Sequence, residues 1–319
     1  EIEQMAVNGI KITKDTISSA SVVIPPPQAQ GSISGYTSGG SPPPGQQTQN
    51  IIDKFPFAAD GNATDVGDLT QSRRGIGGSS STASGYNSGG TVIPAYANTI
   101  DKFPFAADGN ATDVGDLTQA RVSPAGQSST VSGYASGGFA PPTVNTIDKF
   151  AFAADGNATD VGNLTTGGYQ LSGQSSEVSG YTSGGSGGHE SIIDKFPFAS
   201  DANATDVGDL TVGRGRLAAQ SSDASGYTSG GPPAGANMID KFPFASDANA
   251  TDVGDLTVDR MFAVGQSSIT SGYTSGGYSP ASLPGLDVID KFAFATDGNA
   301  TDVGNLTRIY RGRSAGQQV

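Results

Sequence analysis

The run "DGNATDVGD" at residues 60–68 crowds Asp60, Asn62, Asp65 and Asp68 together, a density of hard-oxygen ligands that suits calcium. The order of those ligands fits a metal loop less well. It lacks the alternating D-x-D-x-D-G pattern, and no glutamate closes it. Aspartate and asparagine ahead of glycine also build turns by bonding their own backbone, and this is the reading we favour. Calcium held by these residues and their repeats is the alternative. At the place of Asp68, other copies carry Asn163 and Asn305, which keep hydrogen bonding and give up charge.

The same run repeats Asn-Ala-Thr at Asn62, Asn110, Asn157, Asn203, Asn249 and Asn299, the form of a glycosylation acceptor. Asn163 and Asn305, each followed by Leu-Thr, add two more. Paired carboxylates are also the tools of glycoside hydrolysis. Catalysis, however, needs an acid and a base tuned apart, and near-identical copies provide no such asymmetry. The single histidine, His189 in "GGHES", reads as a solvated loop residue. The expectation is a protein that is no enzyme and holds no cofactor.

What positions these residues is a repeat. Tyr36, Tyr86, Tyr134, Tyr181, Tyr227 and Tyr273 recur at intervals of 46 to 50 residues, each inside SGY-x-SGG. A period of that size belongs to a solenoid, a propeller or a tandem array. Each unit has four segments: A, the "AGQSS" run; B, SGY-x-SGG; C, IDKF-x-F; and D, ATDVG-(D/N)-LT. No window keeps helical spacing, whereas C reads as a strand with Asp53, Phe55 and Phe57 on one face and Ile52, Lys54 and Pro56 on the other. The proline points to an outer or interrupted strand.

Four strands per unit and six units in 319 residues fit a propeller. The fold class expected is all-β, a six-bladed β-propeller of four-stranded antiparallel blades over residues 29–319. Small A residues would line the axis. Phenylalanines and tyrosines would fill the wedges between blades, with each tyrosine hydroxyl reaching a polar partner. The Asp53–Lys54 pair and its copies would make polar contacts between blades. The glycine pair ending B permits a left-handed turn and close approach of a neighbouring blade's aromatic.

Composition narrows the function. A net charge of −13 excludes a basic nucleic-acid footprint and repels anionic membranes. With no cysteine there is neither disulfide nor thiolate metal site. No apolar run approaches the ~18 residues of a membrane span. A chain opening on Glu1 reads as a processed product or a fragment of a longer protein.

Taken together, the A and B segments resemble the kelch repeat. In that family an arginine precedes the first strand, and a glycine pair ends the second strand after an aromatic residue. The pairs here are Gly39–Gly40, Gly89–Gly90, Gly137–Gly138, Gly184–Gly185, Gly230–Gly231 and Gly276–Gly277. The arginine matches at Arg73, Arg121, Arg214, Arg260 and, one residue displaced, Arg311; the third unit has Gly168 there. The family's late tryptophan is absent, since the chain has none. The wording "KFPFA-x-D-x-NATDVG-(D/N)-LT" further resembles kelch-like repeats of virion structural proteins from aquatic bacteriophages, and the resemblance implies a place on a virion.

Closure needs the last blade finished by the first. The expectation is that residues 314–319 insert beside residues 33–40; the competing arrangement uses residues 29–33. Residues 1–28 lie outside the repeat. "VNGIKIT" contains Asn-Gly, a hairpin signal, and "IPPP" is an extended spacer. They read as an arm joining other virion or filament subunits.

Antiparallel order sends the A–B and C–D turns to one face and the B–C and D–A connections to the other. The C–D turn hardly varies, whereas the B–C loops differ in every copy, from "SGGHES" (186–191) to "YSPASLPGLDV" (278–288). Loops on a rigid scaffold carry recognition. Arginines 73, 74, 121, 214, 216, 260, 308, 311 and 313 fall in or beside the D–A segments, and the aspartates concentrate in C and D. The disc should be acidic on one face and basic and aromatic on the other. Candidate binding residues are Tyr96, Arg121, Tyr169, Arg214, Arg260, Phe262, Tyr278 and Tyr310, a mixture suited to sugars or acidic partners.

The function expected is a non-enzymatic virion structural protein, in a tail, fibre or surface appendage, whose variable face binds a host glycan or surface receptor. The alternatives are a glycosylated extracellular filament or surface-layer subunit of an aquatic microbe, and a free lectin-like module. Each places the protein on a virion or outside the cell, without nucleic acid and without membrane insertion.

Overall fold

The computed structural model describes residues 5–7, 10–12, 30–42, 47–188, 190–232, 237–279, 285–310 and 315–318. They form a ring of six blades, each a four-stranded antiparallel sheet in the order A-B-C-D, with no helix among the described residues. Blade 2 is Gly77–Ser80, Ser84–Ser88, Thr99–Pro104 and Thr112–Asp116. Blades 3 to 6 repeat it from Ala125, Ser172, Ala218 and Val264.

Blade 1 takes its B, C and D strands (Ser34–Gly40, Gln49–Pro56, Thr64–Asp68) from the start of the repeat and its A strand, Ala315–Gln318, from the end. Ala315 lies opposite Ser38 and Gln317 opposite Tyr36. Gly31 instead bridges Ser268 of blade 6, its N–H donating to the Ser267 carbonyl at 2.7 Å, so residues 29–33 do not supply the closing strand. Near the N-terminus, Met5–Val7 pairs with Ile10–Ile12 as the Asn-Gly signal predicts. The rest of residues 1–28, proline spacer included, lies outside the described residues, as do His189, Arg311 and Arg313.

The alternation read in strand C holds. Ile52 packs toward blade 2, in a cluster with Tyr36, Leu69 and Phe103, whereas Phe55 and Phe57 pack against Tyr273, Ile289 and Leu306 of blade 6. Every interface repeats this wedge: Tyr36 stacks on Phe105 at 4.9 Å and tilts against Phe103 at 5.4 Å, and Tyr227 meets Phe294 and Phe292 at 4.9 and 5.5 Å. Each such contact is worth about 0.5–1.5 kcal/mol beyond area burial. Tyr273 donates its hydroxyl to the Phe57 carbonyl at 3.5 Å, whereas the buried Tyr36 hydroxyl has no hydrogen-bond partner, so the expected polar contact is not uniform. Pro56 stands exposed at the end of strand C, opposite Ser34, and strand D is the outer one.

Small residues at the axis are a steric requirement. A Cβ on Gly126 would collide with the Gly78 carbonyl of the neighbouring A strand. Glutamines beside those glycines tie the blades: Gln127 Nε2 donates to the Tyr181 carbonyl, Gln174 to Tyr227 and Gln317 to Tyr86, each at 3.0 Å.

Candidate functional site

The B–C and D–A connections share one face and are stitched together there, Arg74 bridging Thr91, Val122 Phe139, Tyr169 Ser186 and Met261 Tyr278. A D–A arginine anchors three of these stitches, and Gly168 stands in its place before Tyr169. The Arg73 carbonyl accepts the Gly40 N–H of blade 1 at 2.9 Å. Its guanidinium crosses into blade 2, donating to the carbonyls of Gly89, Thr99 and Asn87 and pairing with Asp101 at 2.8 Å. Thr70 completes the cluster, donating its hydroxyl to Asp101 at 2.6 Å. Arg121–Asp148, Arg214–Asp240 and Arg260–Asp290 repeat the pair at 3.0, 2.9 and 2.6 Å.

These pairs correct the sequence reading of three binding candidates. Arg121, Arg214 and Arg260 have 0%, 1% and 0% of their surface exposed, so they cannot meet a ligand on the loops. The physical reason is local. Strand ends converging between blades leave carbonyls that must be satisfied, and a five-donor guanidinium does so while neutralising the buried aspartate. Burial pulls these guanidinium pKa values down and the paired aspartate opposes it. The basic character expected of this face reduces, among described arginines, to Arg74 and Arg216, both partly buried, and the exposed Arg308.

The glycine pair makes room for the anchor. Gly39 and Gly40 have φ of 63° and 110°, Gly89 and Gly90 67° and 109°, as the left-handed reading requires. A Cβ on Gly39 would sit 2.7 Å from the Arg73 carbonyl oxygen. The close approach of an aromatic occurs elsewhere. The Phe103 ring packs onto Gly85, before Tyr86, rather than onto the pair after it.

Two residues beyond the anchor position, the chain turns through the left-handed region in every described copy: Gly75, Ser123, Gln170, Arg216 and Phe262 have φ between 56° and 66°. They form a collar at the mouth of the axial channel. The Ser123 N–H donates to the Gly75 carbonyl, Gln170 to Ser123, Arg216 to Gln170 and Phe262 to Arg216, at 2.7 to 3.2 Å. For serine, glutamine, arginine and phenylalanine this conformation costs on the order of 1–3 kcal/mol each, and such strain gathers at functional sites. Ser123, Gln170, Arg216 and Phe262 also line a cavity of about 70 Å³. Of the collar, only Phe262 was a candidate from sequence.

Beside the collar runs a groove of about 530 Å³ lined by Arg74, Ile93, Tyr96, Phe139 and Tyr169, with Ser123 and Gln170 shared between groove and collar. Tyr96 and Phe139 meet edge to face at 6.2 Å, and Phe139 and Tyr169 tilt at 5.5 Å, giving a ladder of rings from three successive blades. Tyr96 is 38% exposed. The structure thus brings Tyr96 and Tyr169 together and adds Phe139. Tyr278 is partly buried against Met261 on blade 6, away from this ladder, and Tyr310 ends the strand Thr301–Tyr310 opposite Leu286.

The opposite face is regular. Asp60 pairs with Lys291 at 3.0 Å, and the Lys–Asp contact recurs round the ring: Lys54–Asp108, Lys102–Asp155, Lys149–Asp201, Lys195–Asp247 and Lys241–Asp297. The Asn62 Oδ1 accepts the Asn305 N–H, and the Asn110, Asn157, Asn203, Asn249 and Asn299 side chains do the same between the other blades, each at 3.0 Å. Asp65 Oδ1 accepts the Gly67 N–H at 3.3 Å. Asp60, Asn62 and Asp65 are therefore engaged in turns and interfaces. Among the described residues no group of His, Asp or Glu side chains is arranged to hold a metal.

Hydrogen bonding to the partner aspartate raises the pKa of Lys102 and its equivalents, and burial raises that of Tyr86 and its equivalents. No family model matches the chain, and no curated protein matches it.

Proposed function

We propose that this propeller is a non-enzymatic structural protein that binds a glycan through its loop face. One observation carries the reading: irregularity is concentrated on the loop face. The C–D turns repeat the same ion pairs and asparagine bridges round the ring, whereas the loop face carries a collar of five different residues, four of them strained, beside a ladder of rings of which Tyr96 is exposed and Phe139 and Tyr169 are partly buried. Aromatic faces flanked by amide, hydroxyl and guanidinium groups suit the alternating C–H and O–H surfaces of sugars. The repeat wording, similar to kelch-like virion proteins of aquatic phages, supports a place on a virion surface, with residues 1–28 as the arm that joins neighbouring subunits. A glycan array tests the reading. Binding that disappears when residues 91–99 and 139–146 are replaced by the blade 5 loop supports it, and an array without hits removes it.

A second reading, a glycosylated extracellular filament subunit, rests on the asparagine ring. Asn62 and its five counterparts are exposed while their Oδ1 atoms are held, so each Asn-Ala-Thr presents its side chain outward in one orientation. Mass spectrometry of native material separates the two, since sugars on these sites favour the filament.

A further inference from the structure

We propose that the collar is an anion subsite centred on Arg216, and that the glycan of the loop face carries a carboxylate or sulfate that docks there. The inference rests on the glycan reading above and names the substrate class.

Arg216 differs from the anchor arginines and from the lysines of strand C. Arg73, Arg121, Arg214 and Arg260 each pair with a buried aspartate, and the lysines of strand C each pair with an aspartate of the next blade. Arg216 is partly buried, yet its neighbours are an amide, a thioether and a ring. Its Nε donates to Gln170 Oε1 at 3.2 Å, its Nη1 lies 3.6 Å from the Met261 sulfur, and the guanidinium sits 5.0 Å from the centre of the Phe262 ring. No carboxylate of the described residues reaches it. Taking a cation partly out of water without a counter-ion is costly, and a protein of net charge −13 has no shortage of aspartate to supply one. A ligand that brings the anion resolves the anomaly.

The geometry around Arg216 is fixed in advance. Its φ of 63° is held by the collar, with its N–H on the Gln170 carbonyl and its carbonyl on the Phe262 N–H. Gln170 steers the guanidinium from one side and the Phe262 ring supports it from the other, leaving a planar fork that matches carboxylate or sulfate oxygens. Ser123 and Gln170 belong both to this cavity and to the aromatic groove. A saccharide with neutral rings along Tyr96, Phe139 and Tyr169 would therefore present an acidic residue at Arg216 without leaving the surface.

Calorimetric titration of the whole protein tests this with four probes of similar length: an oligogalacturonate, a sulfated galactan oligomer, a neutral galactan oligomer and a polyglutamate peptide. The expected result is that one or both acidic oligosaccharides bind at least tenfold tighter than the neutral one, and which of them does so identifies the anion. Arg216→Gln abolishes that preference, and Arg216→Lys restores part of it, because an ammonium cannot make the bidentate contact. Equal affinity for acidic and neutral oligomers, or a preference that survives Arg216→Gln, overturns the inference and leaves the glycan reading standing. No binding of any oligosaccharide, or binding of polyglutamate alone, overturns both. Should Arg216→Gln fail to fold, amide shifts of the wild-type protein on adding free galacturonate or inorganic sulfate replace it. Shifts centred on Ser123, Gln170, Arg216 and Phe262 support the subsite, and shifts elsewhere or none refute it.

Discussion

Arg121, from the link that leaves blade 2, lies 3.0 Å from Asp148 in the middle of blade 3, and neither side chain has any exposed surface. The pair couples two sheets that share no strand. Removing one partner leaves the other charge buried alone, which costs roughly 3–5 kcal/mol. Arg121→Met should lower the melting temperature sharply, and Arg121→Met with Asp148→Leu should recover much of the loss. A double-mutant cycle in thermal or urea unfolding measures the coupling, and additive effects would show that the pair is not a unit.

Alkali should unfold the ring. Lys102 is held above its ordinary pKa by the hydrogen bond to Asp155, and Tyr86 by burial, with the same shifts at Lys149 and Tyr134. In each case the native state keeps its proton to higher pH than the unfolded chain. The stability gained is complete below the unfolded value, about 10 for either group, and is lost as pH climbs through the raised native value. Melting temperature should be flat from neutrality to pH ~9.5 and fall steeply above ~10. Tyr86→Phe with Tyr134→Phe should soften the fall, and a flat profile to pH ~11.5 would contradict the assignment.

The glycines divide into two kinds that mutagenesis can separate. A Cβ at Gly133 would strike the Phe150 ring, whereas one at Gly156 meets nothing within 4 Å. Gly133→Ala should cost about 1–3 kcal/mol by overpacking, and Gly156→Ala should stay within about 0.5 kcal/mol of wild type. The chain already carries the second substitution, since Ala202 and Ala248 stand where other copies have glycine. Chemical denaturation of the two variants reads the difference, and equal losses would mean that the wedge is looser than described.

Deleting residues 315–319 should open the ring. The lost strand pairs with Ser34–Gly40, and Gln317 also ties blade 2 through the Tyr86 carbonyl and Asn87. The truncated chain should melt well below the intact one and expose surface to a hydrophobic dye. A synthetic peptide of residues 311–319, added in excess, should raise the melting temperature by mass action. Unchanged melting after truncation would show that the seam contributes little.

Much of this architecture was legible because the repeat reports itself. Tyr36 and its copies set the period, the alternation Ile52–Phe55–Phe57 set the faces of strand C, and "RSAGQQV" announced a first strand lacking a second. The arginines were visible as a series but not as buried groups. Nothing in Arg121 or Asp148 taken singly says that they meet across a blade boundary, because the pairing spans different repeats. The collar was hidden for another reason. Only Gly75 signals a left-handed turn, and Ser123, Gln170, Arg216 and Phe262 disfavour one, so propensity pointed away from it. Aligning the copies on the anchor position exposes one column in which each described unit carries a different residue.

That column behaves as a dial. Its stations share one backbone course, and each is wired to the next by a main-chain hydrogen bond that does not depend on which side chain stands there. A lineage carrying this wheel can change the chemistry of its hub by single substitutions while the spokes stay as they are.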